Sequence, residues 1–178
     1  RNANAYGILV GSLGDNATIE NSGAITATAN GDVNANAFAI FTGGSGTVIN
    51  TAEGSITGQV NIAGDFTNLG THASVITDSS NYDQSVVGGT ADYSNGTLTS
   101  DTANLSAVED GDRFEDIISA GTLVINDSQL GEIGDSSAQY TFEAVRDGET
   151  IDVVATRVAL DALVSGDLQG AASALESL

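Results

Sequence analysis

The side chains best equipped for chemistry are carboxylates. Glu109-Asp110-Gly111-Asp112, followed by Glu115 and Asp116, is the densest acidic group in the chain. Carboxylates around a glycine turn can hold Ca²⁺, but this spacing departs from the Asp-x-Asp-x-Asp-Gly loop. It reads as a solvated turn leading into a strand, and so does the pair Asp147/Glu149. Polysaccharide-cleaving sites on stacked strands need acids clustered on successive turns, and lyases add an Arg or Lys base. Residues 2–82 hold six acids and no Arg or Lys, with Glu20 and Glu53 at unequal places. His72 stands alone, without Cys and without a Ser-His-Asp context, and is expected at a surface or corner. Asn16, Asn95, Asn104 and Asn126 open glycosylation triplets, which arise by chance in a chain this rich in Asn, Ser and Thr. No catalytic, cofactor-binding or metal-ligating residue is assigned, and no enzymatic activity is expected.

The elements that would carry these groups are announced by a phrase that occurs twice. Thr18-Ile19-Glu20-Asn21-Ser22-Gly23-Ala24-Ile25-Thr26 returns as Thr47-Val48-Ile49-Asn50-Thr51-Ala52-Glu53-Gly54-Ser55-Ile56-Thr57. Each copy follows an apolar run, Ala5–Val10 or Ala37–Phe41. A repeat at about 30 residues marks a solenoid. Each phrase holds two short β-prone runs around a bend at Gly23 or Gly54, where glycine allows a sharp turn. A run this short buries its faces only by stacking on a copy of itself. Three runs per repeat (near 5–10, 18–21 and 24–28, then 37–41, 47–50 and 55–62) predict one turn of a right-handed parallel β-helix. Asn21 and Asn50 hold equivalent places, with Asn68 a third candidate. Stacked Asn side chains can bond one another as a ladder, or serve as ordinary solvated turn residues.

The 178 residues suit one domain, or one solenoid with a cap. A net charge of −20, with four Arg and no Lys, argues against nucleic acid as a partner, since little can neutralise phosphates. It likewise disfavours an anionic membrane, and its plain consequences are solubility and resistance to self-association. Without Cys, the fold must be held by its core and its ladders. No stretch reaches membrane-spanning length. The chain opens inside a repeat, so it is expected to be part of a longer protein.

Composition shifts near residue 82. Eleven of fourteen Asn precede it, and eighteen of twenty-four acids follow. We therefore divide the chain into repeats over 1–82, a continuation and cap over 83–157, and a linker over 158–178. In the second part Tyr140–Val145 and Thr150–Ala155 flank Asp147-Gly148 as a hairpin. Tyr140, Phe142 and Ala144 should share a face with Ile151, Val153 and Ala155, and the hairpin should seal the open end of the solenoid. In the third part Leu160, Leu163, Val164, Leu168, Ala171, Leu175 and Leu178 recur at helical spacing, predicting an amphipathic helix.

The segments Gly111-Asp112-Arg113-Phe114-Glu115-Asp116-Ile117-Ile118-Ser119-Ala120-Gly121-Thr122-Leu123 and Tyr140–Gly148 resemble the pre-barrel region of bacterial autotransporters, the monomeric type V secretion proteins. Ile151–Ala155 and Ala171-Ala172-Ser173-Ala174-Leu175 fit the same pattern, and the Asn-Ser-Gly-x-Ile repeats are similar to that family's passenger β-helices. The resemblance implies an all-β passenger displayed at the cell surface, with a C-terminal cap acting as a folding nucleus. It implies a terminal helix leading into an outer-membrane β-barrel, the partner of the full-length protein; no such barrel lies in these 178 residues.

Two functions compete. One is a structural stalk and folding cap that supports an upstream effector. The other is an adhesin-type binding module for a host-cell or cell–cell surface ligand. Tyr6, Phe38, Phe41 and Phe66 discriminate them, because buried aromatics build a core and exposed ones a binding stripe. Burial is expected for Tyr6 and Phe38.

Overall fold

A computed structural model describes residues 3–27, 35–102, 105, 107–135, 137–159 and 162. The described chain is all-β, built from parallel and mixed sheets, and contains no α-helix. Its strands come in threes. The first layer is β1 (Ala3–Val10), β2 (Thr18–Asn21) and β3 (Ala24–Thr26). The second is β4 (Ala35–Thr42), β5 (Thr47–Asn50) and β6 (Ser55–Thr57). The third is β7 (Gln59–Ile62), β8 (Asp65–Asn68) and β9 (Thr71–Asp78), whose end folds back on β10 (Asn81–Tyr82).

Each strand pairs in parallel with its counterpart in the next layer. Ile8 lies on Ile40, Ile19 on Val48 and Ile25 on Ile56. The two phrases are thus in register, as the repeat predicts. The run 55–62 is not one strand, however. Gly58, with φ 116°, breaks it into β6 and β7, which belong to different sheets, so β7 opens a new layer.

The stacks run on across residue 82. In β11 (Ser85–Asp92) the start pairs with β7 and the end with β8. One strand thus serves two stacks, bending where the register shifts between Val87 and Thr90, at Gly88-Gly89. β12 (Thr97–Asp101) lies under β9. The long β13 (Arg113–Val124) follows β11 in parallel. After the 3₁₀ turn Asp127–Gln129, Gly134 bridges to Thr99 and extends the third stack. Partners along that stack (Ala24, Ser55, Thr71 and Thr97, then Thr99 with Gly134) are 31, 16, 26 and 35 residues apart. The differences are absorbed in the loops at the corners.

Antiparallel strands then close the stacks. β14 (Gly131–Ile133), β15 (Tyr140–Asp147) and β16 (Thr150–Arg157) form a meander, and β16 lies antiparallel on β13. The hairpin has the predicted register, Phe142 with Ala155 and Ala144 with Val153, around a two-residue loop with Gly148 at φ 62°. Phe142, Ala144, Ile151, Val153 and Ala155 are buried and Tyr140 is half-buried. The helix expected over 158–178 falls, apart from Val158, Ala159 and Ala162, outside the described residues.

The core is a column of Ile, Val and Ala with Phe66, Tyr93, Phe114 and Phe142 threaded through it. Backbone amides of neighbouring layers satisfy one another, so burial of these short runs leaves few polar groups unpaired.

Candidate functional site

The Asn ladder forms. Asn21 Nδ2 donates to Asn50 Oδ1 at 2.8 Å, and Asn50 Nδ2 donates to Asn68 Oδ1 at 2.7 Å. Asn50 and Asn68 are fully buried. Each amide also ties down the bend beside it, since Asn50 Nδ2 reaches Gly54 O and Thr71 O. In the fourth layer, one residue beyond the Asp92–Thr67 pair, Tyr93 takes the ladder's column. At the cap side Gln129 Nε2 donates to Tyr93 O and, at 2.7 Å, to Gly96 O. These amides are consumed by the scaffold and leave nothing for a ligand.

His72 is not at a surface or corner. It is fully buried in β9, between Ile56 above and Leu98 below. Its Nδ1 lies 2.7 Å from the Tyr93 hydroxyl and its Nε2 3.1 Å from Gly58 O. Phe66 meets both rings edge-on or nearly so. Burial lowers the His72 pKa from 6.5 to about 4, against a smaller opposing effect of the Gly58 hydrogen bond, so the ring is neutral. Both ring nitrogens are used in binding its neighbours, so the imidazole locks the corner at Gly58 and does no acid–base work. The sequence carries one signal of this, the period-2 phase that His72 shares with Ile76, against which Ala73 and Val75 on the opposite face argue.

Asp83 is a second perturbed group. Its Oδ2 accepts the Val75 N–H at 2.7 Å. Burial raises its pKa from 3.8 to about 6, the Val75 hydrogen bond opposes this, and the charge of Asp101 adds to the rise.

The acidic cluster divides between two tasks. In the turn, Asp112 accepts the Glu109 N–H and Asp110 accepts the Arg157 N–H, each at 2.8 Å. Asp116 lies on a bulge of β13 with φ 56°. Its N–H donates to Asp152 Oδ1 at 2.8 Å, while Arg113 donates to Asp152 Oδ2 through Nε at 2.8 Å and Nη2 at 2.5 Å. Asp152 is buried, and its hydrogen bond and charge hold the Arg113 guanidinium above its usual pKa. Sequence reasoning missed this pair, although a lone acid inside Ile151-Asp152-Val153-Val154 was a visible signal. Among the described residues no three His, Asp or Glu side chains are placed to share a metal ion.

The remaining candidates lie outside. Glu20 and Glu53 are exposed and in different elements, one in β2 and one in a bend. Asn16, Asn95 and Asn126 are exposed; Asn104 lies outside the described residues. The aromatics split. Phe66 is core, whereas Tyr6, Phe38 and Phe41 pack on one another away from it, Tyr6 and Phe38 stacked at 5.6 Å. Phe38 is half-buried, but Tyr6, expected to be buried, is 38% exposed, and Leu9 beside Phe41 is 58% exposed. Alternation turns Leu9 and Phe41 outward beside the inward Ile8 and Ile40. Tyr6 and Phe38 share the parity of those isoleucines, and the register shift between Phe38 and Ile40 interrupts the alternation there, with Ala39 and Ile40 both buried.

No protein-family model, curated protein or solved structure matches the chain.

Proposed function

We propose that the layers form a stretch of right-handed parallel β-helix, and that the chain serves as surface-exposed stalk and folding cap of an autotransporter passenger. One observation carries this reading: an antiparallel hairpin, β15 with β16, laid on β13 at the end of parallel stacks. A parallel stack ends in unpaired amides and carbonyls, which template wrong pairings. A hairpin forms from local contacts faster than long-range parallel pairs, so it can present β13 as a first template for the layers above. The ion pair of the exposed Arg113 with the buried Asp152 and the apolar face of Phe142, Ile151 and Val153 give that template strength of its own. The resemblance of 111–123 and 140–155 to pre-barrel segments falls on these same strands.

The reading is tested by display. Residues 1–178 are placed behind an export signal and ahead of an outer-membrane β-barrel, with and without 140–157. The complete chain should arrive outside the cell as a protease-resistant unit. The deleted chain should stall or be digested. Equal arrival of a folded, resistant chain without 140–157 would remove the cap role.

A further inference from the structure

The edge formed by β1, β2 and β3 is a whole layer of three strands left uncovered among the described residues. Among the described residues each of these strands is bonded on one side only. Their inward residues Ile8, Ile19 and Ile25 are half-exposed, whereas Ile40, Val48 and Ile56 directly beneath them are fully buried. The same residue types occupy both layers, so the first is built for a core position it does not occupy.

Glycines carry the second line of argument. Within the stacks they lie where the carbonyls of the preceding layer press against them. A Cβ would come within 2.5 Å of Asn21 O at Gly54, of Ala63 O at Gly88 and of Gly88 O at Gly121. Gly70 and Gly96 continue the column of Gly54 and are blocked in the same way by Gly54 O and Asn68 O. Gly23 heads that column, one residue before the Ala24–Ser55 pair, and Gly11 stands over Gly43. At Gly11 and Gly23 a Cβ would meet nothing, and neither has a positive φ. Glycine at these two positions weakens the chain without local reason, unless another layer covers them.

We infer that this edge is the seat of a further layer of three parallel strands, running in the same direction and presenting carbonyls over Gly11 and Gly23. It continues an interface already repeated down the molecule. A second copy of this chain does not fit. Its far end is closed by β16, and edge to edge it would oppose glycine to glycine and bring two chains of −20 together. The inference rests on the stacking of the layers and not on the secretion reading, so failure of the display test leaves it standing.

The experiment compares the 178-residue chain with one extended by a tandem copy of residues 1–34 ahead of Arg1. Gly23→Ala is introduced into both, in the extended chain at the glycine of the original copy. In the 178-residue chain the melting temperature should stay within about 1 °C. In the extended chain it should fall by about 5 °C or more. Amides of residues 18–21 should exchange at least tenfold more slowly in the extended chain before mutation. Equal effects of Gly23→Ala in the two chains would overturn the inference. So would a 178-residue chain that sediments as a dimer with those amides already protected, since the seat would then belong to a second copy.

Discussion

Asn50 is the residue through which most of the scaffold's polar order passes. Its amide donates to Gly54 O, Asn68 Oδ1 and Thr71 O, and accepts from Asn21. Asn50→Ala removes the donor to Asn68 Oδ1, Gly54 O and Thr71 O together, while Asn21 keeps Gly23 O and Ser55 O, and an orphaned buried polar group costs roughly 1–3 kcal/mol. We expect a loss of about 3 kcal/mol in urea unfolding. His72 and Asp83 make a second expectation, concerning pH. His72 is neutral in the fold with a pKa of about 4, against 6.5 unfolded, so its contribution is whole above about pH 6.5 and drains away as pH falls towards 4. Asp83 runs the other way. Its folded pKa of about 6 exceeds 3.8, so the folded state gains on acidification over the same window. Between pH 4 and 6 the two offset. His72→Gln should therefore make stability rise, relative to the parent, as pH falls from 6 to 4. Asp83→Asn should make it fall. The difference in each case approaches one proton, about 1.4 kcal/mol per pH unit. Parallel pH profiles for parent and variants would show that neither group is linked to folding.

At the scale of elements, the join between β13 and β16 is where two kinds of pairing meet. The register shifts between Phe114 and Ile118, and the bulge turns the Asp116 N–H out of the ladder towards Asp152. A buried carboxylate that holds both a backbone amide and a guanidinium is costly to remove, because Arg113 and the Asp116 N–H lose their partner together. Asp152→Ala should cost about 2 kcal/mol, chiefly through the Asp116 N–H left without its acceptor, since the exposed Arg113 regains water. Asp147→Ala, whose carboxylate is exposed and 4.0 Å from the same guanidinium, should cost under about 0.5 kcal/mol. Chemical denaturation of the two variants checks the contrast. The elements themselves were legible in unequal measure. The paired phrases revealed β2 with β5 and β3 with β6, because identical residues want identical surroundings. The 140–157 hairpin was legible from alternation around Asp-Gly. The split at Gly58 was not, since Ser55–Ile62 reads as one β-prone run and only the glycine's positive φ divides it. His72 and Asp152 were misplaced or missed for a shared reason. Polar side chains read as surface until a specific buried partner is known, and those partners, Tyr93 and Arg113, lie 21 and 39 residues away.

For the molecule as a whole, the parallel ladders join each layer to the next, and the ladder hydrogen bonds run along the line joining the first layer to the cap. That direction has a mechanical meaning. Tension applied between residue 3 and residue 157 loads those bonds in opening and not in shear, so they part a few at a time from the strand that carries the load. The unequal spacing of partners in the third stack, from 16 to 35 residues, sets how much slack each step releases. At about 3.4 Å per extended residue this is roughly 50–120 Å. Under a steady pull such a molecule behaves as a spool, lengthening in uneven clicks at low force, with the crosswise strands at the cap as its brake.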